Sequence, residues 1–172
     1  MRNLLKASGI ATVFSIVLVL LGISSPASAQ TKEATYKGTF FGYGTFKVTP
    51  IGKERLLLVF DENGLNLTDG FIDHTTAHCW GTGDYTNGMG EDRGYCVATD
   101  PAGDQIVTNI FNAKHALGAN PLTGTDTWTT GTGKLAGVSG GGTYDCEEGK
   151  FKTAVDGTYV DYCSIQGSYK LP

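Results

Sequence analysis

The 172 residues carry 13 Lys and Arg against 17 Asp and Glu, a formal charge of −4, with 25 glycines and four cysteines. Acidic character argues against nucleic acid or an anionic membrane as partner, since both require basic patches. The length suits one domain with a core of its own, and no stretch is low-complexity enough to be a long linker.

In chain order, Arg2 and Lys6 precede an apolar run from Ile10 to Ile23 that ends in Ser24-Ser25-Pro26-Ala27-Ser28-Ala29. A basic start, an apolar centre and an Ala-x-Ala close read as a secretory signal peptide over 1–29, cleaved after Ala29. The run is short for a membrane anchor, and no cysteine near the cleavage site could take a lipid. The expected product is a single exported domain, 30–172, periplasmic or extracellular and off the membrane, with its charge moved to −6 by the loss of Arg2 and Lys6.

Residues 30–35 read as a loose polar leader. Tyr36 to Val48 is an aromatic, glycine-rich strand, turned at Pro50 and Gly52. Arg55 to Phe60 is apolar on both faces and reads as a covered strand, ended by a turn at Asp61-Glu62-Asn63-Gly64. Phe71 to Trp80 alternates, with His74, His78 and Trp80 on one side and Ala77 and Cys79 on the other. Gly81 to Asp92, rich in Gly, Asp and Asn, reads as the longest loop, and Arg93 to Thr99 as the returning strand. The turn Asp100-Pro101-Ala102-Gly103-Asp104 follows.

Residues 105–117 fit a helical face, but the β-branched and aromatic Ile106-Val107-Thr108 and Ile110-Phe111 favour a strand to about Asn112, leaving Lys114 to Pro121 as loop. Thr123 to Thr130 alternates, its threonines facing one way and Asp126 and Trp128 the other. From Trp128 to Tyr144 the sequence reads as strand, glycine-built turn and strand, with Leu135 and Val138 as an apolar peg tucked under the sheet. Gly157 to Leu171 has the clearest alternation: Cys163, Ile165, Gly167, Tyr169 and Leu171 share a face. Roughly eight strands joined mostly by short turns indicate an all-β antiparallel barrel or sandwich. The absence of an immunoglobulin-type Cys-Trp-Cys spacing favours the barrel.

In an exported chain four cysteines are expected as disulfides, and three pairings exist. The equal spacings of 17 residues and placement on successive strands favour Cys79–Cys96 and Cys146–Cys163. No Cys-x-x-Cys pair supports zinc or redox chemistry. His74 and His78, four apart on an extended strand, are separated by roughly 13 Å, too far to share a metal. His115 reads as a loop residue. The glycine pairs at Gly133-Lys134 and Gly88 to Gly94 miss the phosphate-loop and dinucleotide patterns, so no metal and no cofactor is expected. Asn66-Leu67-Thr68 is a glycosylation sequon, with meaning only in a eukaryotic secretory pathway; the leader looks bacterial. Trp80, Phe111 and Trp128 are the large groups that a barrel would use to line a pocket or fill its core.

The stretch Thr129 to Gly140, Thr-Thr-Gly-Thr-Gly-Lys-Leu-Ala-Gly-Val-Ser-Gly, resembles the Gly-x-Gly-x-Phe-x-Gly-x-x-Gly turn of the allene oxide cyclase and dirigent barrels. Gly94-Tyr95-Cys96-Val97 with Gly103-Asp104 is similar to the strand and turn before it there, so that the likeness spans about residues 90–145. The resemblance implies an eight-stranded antiparallel barrel, a largely apolar cavity that folds a reactive substrate, and association of barrels into homo-oligomers. In the cyclases an acidic residue stands early in the barrel, whereas Tyr36 to Val48 holds no carboxylate. Cys96 falls where a pocket cysteine occurs in the plant cyclases, and pairing with Cys79 removes its thiol.

The expected activity is therefore the binding of a small apolar ligand in the lumen. The alternatives are a cofactor-independent cyclase or isomerase in which His74 or Asp126 assists proton transfer, and a filled barrel that binds a partner.

Overall fold

A computed structural model describes residues 32–148, 153 and 155–171; the expected leader over 1–29 lies outside them. Eight strands run in sequence: β1 (Lys32–Pro50), β2 (Arg55–Thr68), β3 (Thr75–Thr86), β4 (Met89–Thr99), β5 (Gln105–Ala116), β6 (Leu122–Gly131), β7 (Ser139–Glu148) and β8 (Thr158–Leu171). Each pairs antiparallel with the next, and β8 pairs with β1 to close the barrel. Closure satisfies every strand edge, and the pleat sends alternate residues inward and outward.

The expected fold class holds, and the strands are longer than the residue patterns suggested. Residues 32–35, read as a loose leader, pair with 168–171 of β8. Asp61 to Gly64, read as a turn, lies mid-strand in β2, where Glu62 opposes Gly44. The supposed loop 81–92 is a hairpin: β3 and β4 pair from Thr76↔Thr99 to Thr86↔Met89. Its two-residue turn, Asn87-Gly88, has φ of 53° and 73°, the both-positive geometry that lets a short turn match strand twist. Glycine and aspartate depress strand propensity, but here the glycines are needed for space inside the barrel. At the start of β3, Phe71 to His74 form a turn, and the strand begins only at Thr75. Residues 105–116 are strand and not helix, as preferred, and run on through His115.

Both disulfides bridge directly opposed residues, Cys79–Cys96 across β3 and β4 and Cys146–Cys163 across β7 and β8. Such pairs suit an oxidising compartment. No described helix is long and apolar enough to cross a membrane.

One end of the barrel is packed. Leu135, in a single 3-10 turn Gly133–Leu135, and Val138 are 2% and 4% exposed, so the apolar peg does tuck under the sheet. Above them lie the rings of Trp128, Phe71, Tyr36 and Tyr169, with centroids 4.3–6.5 Å apart. The peg's turn is tied to the neighbouring one: Lys134 pairs with Asp100 at 2.6 Å, and its backbone N–H donates to Asp104.

Candidate functional site

Above this floor the barrel encloses a cavity of about 350 Å3. Its wall is apolar toward the far end, where Val48, Leu58, Leu117, Ala119 and Leu122 line it, and aromatic at mid-height, with Phe40, Phe60, Tyr144 and Tyr159. Four carboxylates join this wall: Glu62 from β2, Asp92 from β4, Asp126 from β6 and Asp161 from β8, one from every second strand.

Glycines on neighbouring strands make room for them. A Cβ built on Gly42 would lie 1.8 Å from Glu62 Oε1, one on Gly83 2.1 Å from Asp92 Oδ1, and one on Gly142 2.9 Å from Asp126 Oδ1. The bare inner faces of β1, β3 and β7 are thus the seats of acids carried by β2, β4 and β6. Large rings are seated in the same way: Cβ atoms on Gly124 and Gly90 would meet Tyr144 and Tyr85.

Two of the acids sit in defined hydrogen-bond sets. Asp126 Oδ2 accepts from Trp128 Nε1 at 3.0 Å and from the Tyr36 hydroxyl at 3.3 Å. Burial nevertheless holds its carboxyl above the usual carboxylate range, outweighing these two donors. The Tyr36 hydroxyl is pushed up in turn, by burial first and by the Asp126 charge second. Asp92 Oδ1 accepts from the Tyr85 hydroxyl at 2.8 Å, and its Oδ2 lies 3.2 Å from His115 Nε2. His115 Nδ1 donates to the Ala113 carbonyl at 2.9 Å, which commits that nitrogen as the donor. His115 Nε2 also lies 2.9 Å from the Tyr85 hydroxyl, so Tyr85, Asp92 and His115 form one cluster. Burial raises the Asp92 carboxyl as well, against the lowering pull of Tyr85 and His115. Tyr144 donates to Asn112 Oδ1 at 3.1 Å and is raised by burial and then by nearby carboxylates.

Chemically, this is a mainly apolar, ring-lined chamber in which the Asp92 and Asp126 carboxyls hold protons more readily than carboxylates in water. It can enclose an apolar guest, donate hydrogen bonds to it, and exchange a proton with it.

The sequence candidates separate into two sets. Trp128 and Asp126 face the lumen. Trp80 does not: with Ala77 and Cys79 inward, the pleat sends it outside, where it is 39% exposed beside His78 and Tyr95. Phe111 is also outside, between inward Ile110 and Asn112, with the Arg93 guanidinium 4.5 Å above its ring. His74 is an exposed turn residue at φ 55°, its Nδ1 2.6 Å from Asp73. His115, read as a loop residue, belongs to the lumen wall. Asn66 of the sequon is buried and donates to Thr75 Oγ1, so the folded barrel does not present it for glycosylation. Among the described residues, Cys146, Asp161 and Cys163 bring ligand-type atoms within 4.8 Å, but both sulfurs are consumed in a disulfide.

Glu62, Asp92 and Asp161 were missed as site residues. The first two fall in segments that read as turn or loop, and their common feature is placement at mid-height on alternate strands. That feature emerges only from the register.

The chain is thus a closed antiparallel barrel with an acid-girdled lumen. No family model matches it, and no curated protein matches it. Among solved structures it is similar to a pterocarpan synthase dirigent protein, with a TM-score of 0.50 over 83% of this chain and 93% of that one, at 11% identity. At that identity the likeness is one of fold, and the fold is the dirigent-like barrel.

Proposed function

We propose that this protein is an exported barrel, freed of its leader after Ala29, that binds a small and mainly apolar molecule in its lumen. The observation that carries the reading is the cavity of about 350 Å3 held above a packed aromatic floor. Its size is within the range of small-molecule sites, and its mix of apolar wall and few polar groups is their usual chemistry. A barrel filled to its axis, as a pure partner-binding module would be, has no such space. Trp128 in the floor is a natural reporter. In a Trp80→Phe variant it is the one tryptophan left in the chain. Titration with tert-butylbenzene should change Trp128 emission saturably; a linear or absent response would count against a lumen site.

A second reading is favoured by the raised carboxyls of Asp92 and Asp126: a cyclase or isomerase in which a buried acid gives a proton to an enclosed substrate. Carbon-13 NMR of labelled aspartate carboxyls checks it. Titration of both groups in the ordinary carboxylate range would remove its basis.

A further inference from the structure

The two ends of the barrel differ in what their turns expose. At the mouth, opposite the packed floor, the chain turns after β1, β3, β5 and β7, and a large apolar side chain stands at or beside each turn: Ile51, Met89, Leu117 and Val155. Phe46 joins them, its backbone N–H donating to the carbonyl of Gly157 in the last of these turns. All five are 38–60% exposed. Among the described residues, the turns at the floor end, 69–74, 100–104 and 132–138, expose no large apolar side chain. Closure of the barrel spaces the four mouth turns around one opening, so their apolar tips form a rim.

This rim is held in place and leads inward. The Asn87 N–H donates to the Glu54 carbonyl at 2.7 Å and the Leu117 N–H to the Gly88 carbonyl at 2.9 Å, tying the first three turns to one another. Phe46 and Leu117 are both exposed at the rim and part of the cavity wall, which continues below them through Val48, Leu58 and Leu122. The apolar surface thus runs unbroken from solvent into the lumen. Charge around it is mixed: Lys53, Glu54 and Arg55 stand at one turn and Asp156 at another, and Arg55 pairs with Asp84.

Clustered apolar side chains in water mark a contact surface. An apolar guest partitions from water into lipid, and a cavity whose mouth touches lipid receives it without a passage through water. A rim of mixed charge suits a surface that carries both signs and no net charge. The expectation of a barrel off the membrane rested on the cleaved leader and on overall acidity, and neither opposes apolar contact with a zwitterionic surface.

We propose that the mouth rim docks on a zwitterionic lipid bilayer, with Ile51, Met89, Leu117 and Val155 entering its interface, and that the lumen's guest is exchanged with that bilayer. The exchange rests on the lumen-binding reading above; the docking is a separate property of the rim.

The test is co-flotation of the full mature protein with vesicles of phosphatidylcholine alone. The protein should float with them, and should still do so in about 0.5 M NaCl, where charge attraction is screened. Ile51→Ser combined with Val155→Ser should weaken partitioning at least about tenfold, whereas Leu65→Ser combined with Leu67→Ser, on the exposed outer wall, should change it less than about twofold. Met89→Ser supplies an independent rim variant should the first pair fail to fold by circular dichroism. Equal weakening by the rim and wall variants, or release by salt, overturns the proposal. The tert-butylbenzene titration of Trp128 emission separates it from the lumen reading. No flotation by a protein that takes up tert-butylbenzene overturns the docking and leaves the lumen site standing; rim-dependent flotation by one that does not supports the docking and removes the exchange.

Discussion

The floor of the barrel and the girdle above it are built from the same alternating strands and come out opposite in character. At the floor, inward positions hold Tyr36, Trp128 and Tyr169, and the rings meet Phe71 and the Leu135–Val138 peg until no space is left. At the girdle, inward positions on β1, β3 and β7 hold Gly42, Gly83 and Gly142, so a neighbour's carboxylate leans into the gap and the axis stays open. One level stabilises the fold through packing. The other gives up packing and keeps polar groups in an apolar enclosure, an arrangement that costs stability and is typical of functional sites.

Substitutions should sort by level. Trp128→Ala, which empties the floor and removes a donor to Asp126, should cost about 3–5 kcal/mol by urea unfolding, whereas Asp92→Asn at the girdle should change stability by no more than about 1 kcal/mol. Comparable losses from the two would erase the distinction. Between these extremes stand the staples: replacing Cys79 and Cys96 together by alanine should cost about 3 kcal/mol in the chain-entropy account, measured the same way.

A smaller effect tests the girdle's electrostatics. Asp92 and Asp126 hold protons more readily folded than unfolded, so their stabilising contribution is complete below the unfolded pKa of about 4 and is lost as pH rises through the raised folded values. Asp73, Asp84 and Asp100 are held below the usual range by their hydrogen bonds and slope the other way. The informative quantity is therefore the difference from Asp126→Asn. Across pH 4–8 the variant should gain on the wild type as pH rises, and parallel curves would show that Asp126 ionises normally. The smallest effect should come from Trp80→Phe on the outer wall, within about 0.5 kcal/mol and without influence on lumen binding.

The floor was legible in the residues and the girdle, Asp126 apart, was not, for a physical reason. Apolar alternation from Cys163 to Leu171, the Asp126 and Trp128 face of β6 and the Leu135–Val138 peg are local patterns, each read within a dozen residues. Cys79–Cys96 and Cys146–Cys163 followed from equal spacing. Glu62 and Asp92, by contrast, sit among Asp, Asn and Gly that locally favour turns, and they become strand residues because closure of the barrel supplies partners on both sides. Trp80 was expected as a pocket residue from its size, and the pleat set by Ala77 and Cys79 overrides size. His74 was singled out by proximity to His78 in sequence, yet it sits in the turn before β3 and reaches neither His78's strand face nor the lumen.

The account's central claim is that a guest enters the lumen above the floor. Methyl NMR of the mature protein titrated with tert-butylbenzene addresses it most directly. Ile110, Leu122 and Ile165 line the cavity, while Val59, Leu65 and Leu67 are exposed on the outside. Saturable shifts confined to the first set are the predicted result. Shifts in the second set alone, or in neither, would contradict it.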